Sequence, residues 1–220
     1  DIYHPGGIGL VKKFDASYDW PGHHLSKKVA QGQKNALNYS RHIERTIKRY
    51  GPENIVVNFV SNHDENSWNG TIEESYGKAA YAFMALNYTI PGMPLVYSGQ
   101  EYDLNKRLHF FEKDSFPKVS GKTMEFLQQL GALKNNHKAL TSGLSGGSFK
   151  RLLNSKNDQI LAFERERDGD TIVFIANLSK DYAQFTLPYD GNFKRFQDFK
   201  NKRLSSSYQY DMKPWEFWIL

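Results

Sequence analysis

An α/β unit followed by an all-β module is the fold class that this 220-residue sequence predicts. From about residue 22 to 137, apolar residues recur at helical spacing and are interrupted by short β-rich runs, which marks alternating helix and strand. Beyond Leu140 the pattern changes to short alternating or β-branched runs separated by Gly, Asn, Asp and Pro, as in an antiparallel β-sandwich. Between the two regimes lies Thr141-Ser142-Gly143-Leu144-Ser145-Gly146-Gly147, small and polar enough for a boundary. Residues 1–140 are therefore assigned to the α/β unit and residues 141–220 to the β module.

The elements follow in order. Val29, Leu37, Ile43 and Ile47 fit a buried helical face, as one helix or as two broken at Gly32, ending at Gly51-Pro52. Ile55-Val56-Val57-Asn58-Phe59-Val60 reads as a strand buried on both faces, the parallel-sheet type. Thr71 with Glu74 three residues later makes a capping box, opening an alanine-rich helix to about Tyr88. Met93-Pro94-Leu95-Val96-Tyr97 reads as a second short buried strand, followed by a loop long enough to suggest a functional role. A helix then carries Met124, Phe126, Leu127, Leu130 and Leu133 on one face. In the β module, strands are expected over Ser148–Leu153, Gln159–Glu166, Thr171–Asn177, Gln184–Leu187, Phe193–Phe196 and Trp215–Leu220.

Composition excludes several classes of function. There is no cysteine, so thiolate metal sites, disulfides and thiol nucleophiles are ruled out, while cytoplasmic and periplasmic or secreted settings both remain open. No apolar run approaches the roughly 20 residues of a membrane-spanning helix. The net charge of +5 is scattered in short clusters (Lys12-Lys13, Lys27-Lys28, Lys200 to Arg203) and reads as a solvated surface, with neither nucleic acid nor membrane as partner. The opening Asp1-Ile2-Tyr3-His4-Pro5 lacks an initiating methionine, so an upstream segment is expected.

Chemistry concentrates at Phe59-Val60-Ser61-Asn62-His63-Asp64, where the first buried strand leaves the sheet. Functional side chains project from the carboxyl ends of strands in parallel α/β architectures. From spacing alone, Asn62 and Asp64 as turn formers with His63 as their partner is an equal reading. The motif decides between them. Phe-x-x-Asn-His-Asp after a buried strand is similar to the seventh-strand motif of the α-amylase family of glycoside hydrolases. Gly92-Met93-Pro94-Leu95-Val96-Tyr97-Ser98-Gly99-Gln100-Glu101 resembles that family's eighth-strand motif, and Phe14 to Trp20 resembles the segment around its sixth strand. Arg107-Leu108-His109-Phe110-Phe111 matches the run often found after the eighth.

The resemblance implies the last strands and helices of a (β/α)8 TIM barrel with an appended antiparallel β-sandwich, since 140 residues are too few for a barrel of at least about 200. It implies a retaining enzyme acting on α-linked glucans such as starch or maltodextrins. Asp64 matches the family's second aspartate, which binds sugar hydroxyls and helps distort the ring toward an oxocarbenium-like transition state. His63 matches a histidine that binds the same sugar. Asn62 holds the loop backbone, Trp68 is a candidate for stacking on a sugar face, and Tyr97 closes the other end of the pocket with Glu101, which is expected to hold its own loop. Asp15 and Asp19 are expected to organise the sixth-strand junction.

The departure from the family pattern is equally informative. Its nucleophile belongs to Gly-x-Arg-x-Asp at the fourth strand, which does not occur in this sequence, and its acid/base glutamate belongs at the fifth. The resemblance therefore makes this chain part of a glycosidase, supplying the transition-state-stabilising Asp64 but neither nucleophile nor acid. No cofactor is evident in the chain; calcium, which many family members bind, is expected only from the parent's upstream loop. The alternatives are a non-catalytic α-amylase-like binding protein, or a sugar-binding β-sandwich with Trp215, Trp218 and Tyr210 as a platform. Alternation in Trp215-Glu216-Phe217-Trp218-Ile219-Leu220 favours a packed final strand over the platform.

Overall fold

The computed structural model describes residues 13–198 and 200–220. The opening stretch Asp1 to Pro5 and Lys12 lie outside the described residues. Strands β1 (Ala16–Tyr18), β2 (Ile55–Asn58) and β3 (Met93–Pro94) form one parallel sheet in that order, with Tyr18 opposite Val57 and Asn58 opposite Pro94. Each crossover is helical, as parallel pairing requires.

Helices α1 (Trp20–Ala30) and α2 (Ala36–Tyr50) connect β1 to β2. They are two helices rather than one, separated at Gly32, whose φ of 74° is left-handed. Asp19 caps α1 by accepting from Gly22 N at 2.9 Å, and its other oxygen meets His42 Nε2 at 2.8 Å. A side chain at Gly22 would collide with both, so α1 starts tightly against α2.

Helices α3 (Ile72–Tyr76) and α4 (Ala80–Thr89) connect β2 to β3. The capping box forms as expected: Glu74 N donates to Thr71 Oγ1, and Thr71 N donates to the Glu74 carboxylate. The expected single helix is interrupted, however, at Gly77, where φ is 47° and ψ is −126°. After a short 3-10 turn the chain resumes as α4, buried at every position but Tyr81, with Phe83, Ala85 and Leu86 fully enclosed.

Two strand expectations need correction. Ile55 and Val56 are only half-buried, so β2 is not enclosed on both faces along its length. Met93 to Tyr97 is not a buried strand: only Met93 and Pro94 pair, and Met93 and Val96 are exposed. This segment is the edge of the sheet, and Pro94 brings no N–H to extend the pairing.

Helix α5 (Lys122–Asn136) buries Leu127 and Leu130, with Phe126 and Leu133 packed partly against the same core. That core continues past residue 140 without a break, taking in Leu140, Phe163, Phe174 and Ile219. The second part is all-β. A four-stranded antiparallel sheet has the order β11 (Phe217–Ile219), β6 (Asp170–Asn177), β5 (Ile160–Arg167), β4 (Lys150–Arg151). Two further pairs are β7 (Ala183–Thr186) with β10 (Gln209–Met212), and β8 (Gly191–Lys194) with β9 (Asn201–Leu204).

The four-stranded sheet is covered on both faces. Phe174 and Ala176 face the helices, while Val173 and Ile175 join Phe185, Leu204, Met212 and Trp218 in a second core. Trp218 and Tyr210 are buried there, and Trp215 and Phe217 pack on the first core, so these aromatics form no open platform. Among the described residues, no helix is long and apolar enough to cross a membrane.

Candidate functional site

Beyond Asn58 the chain leaves the centre of the parallel sheet through Phe59, Val60, Ser61 and Asn62, all buried. Burying the Asn62 amide requires partners, and its Oδ1 accepts from Glu65 N at 2.8 Å. That bond folds the next residues into a π-helical turn over Glu65–Asn69, a geometry concentrated at functional sites. Asn62 thus holds the loop backbone from beneath. Its Nδ2 is buried with no hydrogen-bond partner among the described residues.

His63 and Asp64 stand on the outer side of this turn. Their side chains are 55% and 41% exposed, and His63 Nε2 lies 3.7 Å from Asp64 Oδ2. Two polar groups at the carboxyl end of the central strand, open to solvent and adjacent, can engage hydroxyls of a bound molecule.

The loop after β3 is laid against this turn by three bonds. Asn66 Nδ2 donates to the Lys106 carbonyl at 3.1 Å, Leu108 N donates to Asn66 Oδ1 at 2.8 Å, and Ser67 Oγ donates to the Leu108 carbonyl at 2.7 Å. Further out, Arg107 forks onto Glu74 with two 3.0 Å bonds. The result places Phe110 beside both Trp68 (5.3 Å between ring centroids) and His63 (6.0 Å, with 29° between the ring planes). Trp68 is 57% exposed and Phe111 84%, and a depression of about 350 Å³ runs between Trp68 and residues 107–112. A larger cavity of about 440 Å³, walled by Ile43, Ile47, Val56, Ile90, Phe149 and Arg165, contains none of Asn62, His63, Asp64, Trp68 and Tyr97.

Tyr97 is half-buried in the loop beyond β3, and burial pushes its phenol pKa up. No hydrogen bond or ring contact joins it to His63 or Asp64. Glu101 accepts from Gly99 N at 2.9 Å and so holds its own loop. Asp19 caps α1, and Asp15 uses its carbonyl to accept from Ile55 N at 3.2 Å, so both serve the β1 junction. The structure therefore gathers His63, Asp64 and Trp68 on one edge, supports them with Asn62, and leaves Tyr97 apart.

Sequence reasoning missed Glu65. This carboxylate is 3% exposed, yet polar nitrogens surround it: Lys27 Nζ at 2.8 Å, His23 Nε2 at 2.8 Å and Asn69 Nδ2 at 3.0 Å. The His23 approach lies out of line with the ring N–H, so the rotatable Lys27 ammonium is the firmer bond. Burial works to raise the Glu65 pKa, but His23 and Lys27 outweigh it and bring it to about 2. The only local signal was His23 and Lys27 four apart on one face of α1. Among the described residues, no group of three or more His, Asp or Glu side chains could hold a metal ion.

Similar solved structures share this architecture along nearly the whole chain. A noncanonic maltogenic α-amylase, AmyB from Thermotoga neapolitana, superposes with a TM-score of 0.81 at 18% identity, covering 96% of this chain and 51% of that one. The chain has the α-amylase fold. An α-amylase from Lactobacillus plantarum matches the same fold with a TM-score of 0.77 at 16% identity, over 97% of this chain and 49% of its own. In sequence, residues 150–219 match the family profile of the maltogenic amylase C-terminal domain. The α-amylase MalA of Haloarcula japonica is 24% identical over 131 residues, which is 59% of this chain and 19% of that protein. The resemblance of the sequence motifs to the α-amylase family thus agrees with both fold and profile. The chain spans about half the length of the α-amylases whose structures it matches.

Proposed function

We propose that this chain is the C-terminal part of a retaining glycosidase of the α-amylase type, acting on α-linked glucans such as starch or maltodextrins. On this reading residues 1–140 are the last strands and helices of a (β/α)8 barrel, and residues 141–220 are an antiparallel β-sandwich. The reading is supported by α-amylase likeness in three forms: the motifs, the β-module profile and the fold.

The observation that carries it is the position of Asp64. It follows the carboxyl end of the central parallel strand, open to solvent and beside His63. An anion there binds sugar hydroxyls of the reacting ring and favours its distortion toward the oxocarbenium-like transition state. His63 binds the same sugar, Asn62 fixes their backbone, and Trp68 offers a face for the next pyranose. Tyr97 closes the far side once the upstream strands are in place. Nucleophile and acid come from the upstream segment, which also holds any calcium.

The test uses the full-length protein that contains this chain. Asp64→Asn is expected to cut hydrolysis of α-1,4-glucan by several orders of magnitude. Near-normal turnover in that variant would end this assignment. A second reading, a sugar-binding module in residues 141–220, is disfavoured by the burial of Tyr210 and Trp218.

A further inference from the structure

We propose that Glu65 is a positioning residue for the sugar-binding edge, clamping the Asn62-His63-Asp64 segment to helix α1. This rests on the role of Asp64 given above. Among the described residues the Asp64 carboxylate accepts no hydrogen bond, and its neighbour His63 is itself exposed. Its direction is therefore imposed by the backbone on either side. Behind it stands buried Asn62; ahead of it stands Glu65.

Glu65 reaches away from the exposed edge into the layer beneath. Lys27 and His23, both on α1, approach it to 2.8 Å, and Asn69 closes the turn from within at 3.0 Å. His23 is itself fixed: its ring stacks on Phe59 at 4.5 Å, and its Nδ1 lies 3.3 Å from the Phe59 carbonyl and 3.2 Å from the Tyr76 hydroxyl. Ser26 joins the Tyr76 hydroxyl at 2.6 Å. Since α1 begins directly after β1, the clamp ties together the carboxyl ends of two adjacent parallel strands.

An apolar residue at position 65 would fill the same space without directional bonds. A buried carboxylate is costly unless paired, and breaking such a pair leaves an uncompensated charge. The arrangement thus exchanges a packing contact for an angular constraint on the turn that bears Asp64. Angular precision at a reacting centre is reflected in turnover more than in ground-state binding.

The experiment compares Glu65→Gln, Lys27→Met and the double variant in the full-length protein, with maltoheptaose as substrate and Asp64→Asn in parallel. Expected is a fall in kcat of about tenfold or more for each single variant, a KM within about threefold of the parent, and a double variant no worse than the worse single. The melting temperature of each variant separates folding from positioning, and Lys27→Met, at the rim of the network, guards against a Glu65 variant that fails to fold. If both singles keep kcat within twofold while Asp64→Asn is inactive, the clamp is wrong and the Asp64 assignment stands. Should Asp64→Asn retain turnover, both fall together.

Discussion

Arg165 on β5 donates from Nη1 to the carbonyl of Thr89, 3.1 Å away and 76 residues earlier in the chain. Thr89 is the last residue of α4, so the guanidinium sits where a helix presents unsatisfied carbonyls and partial negative charge. Its other nitrogens donate to the carbonyls of Ser148 at 2.8 Å and Gly147 at 3.1 Å. Close by, Lys134 donates to the carbonyls of Gly92 and Leu140 at 3.1 and 2.6 Å. Buried Arg165 thus ties the helical part to the β module through main-chain oxygen alone, while half-buried Lys134 joins α5 to carbonyls within the helical part.

Replacing Arg165 by Met tests that tie. The apolar volume is roughly kept, but three carbonyls lose their donor, each at about 1–3 kcal/mol when it stays buried. Urea unfolding of Arg165→Met is expected to show a loss of about 3 kcal/mol or more. A loss below about 1 kcal/mol would mean that water replaces the guanidinium and that the tie is dispensable.

Lys134 makes stability depend on alkaline pH. Burial, with the nearby Arg165 adding to it, lowers its pKa from 10.5 to about 8. Between those values the unfolded chain binds more protons than the folded one, so this group makes stability rise as pH increases through the window. Tyrosines with raised pKa values act in the opposite direction, so the measurement is a difference. The melting temperature of the parent relative to Lys134→Met is expected to climb from pH 8 to 10.5, and a flat difference would contradict the burial of its charge.

Glu65 governs the acid side. Its folded pKa of about 2 lies below the ordinary 4.5, so its stabilising contribution is complete above that ordinary value and is lost as pH falls toward 2. Glu65→Gln is expected to be less stable than the parent at pH 7, with the gap closing below pH 4. A gap of constant size across that range would show that the charge is not what matters.

Two glycines should respond in opposite directions to alanine. Gly77 sits at φ 47° and ψ −126° with no atom within 4 Å of an added Cβ, so Gly77→Ala introduces backbone strain without a clash, costing about 1–3 kcal/mol. Gly131 lies inside α5 with similar open space, and Gly131→Ala is expected to stabilise by about 0.5–1 kcal/mol. Chemical denaturation of the two variants checks the contrast.

What could be read along the chain was whatever depends on near neighbours. The Thr71–Glu74 capping box is visible because both partners lie within one turn. The Asn62-His63-Asp64 edge is visible because a motif marks the end of a strand. Strand β9 was missed because Asn201-Lys202-Arg203-Leu204 offers a single apolar residue, and its place is set by pairing with β8. The Met93 to Tyr97 run misled because its composition suits a buried strand, whereas exposure depends on which strands flank it.

By itself, the sequence determined the two periodic regimes, the helix caps, and the polar residues standing where the central strand ends, since spacing and side-chain chemistry act over a few residues. Only the tertiary structure decided that Glu65 meets Lys27 across 38 positions, that Arg165 meets Thr89, and that Phe110 lies against both Trp68 and His63. Each of these depends on packing that brings distant segments within a few ångströms, and no local pattern encodes that proximity.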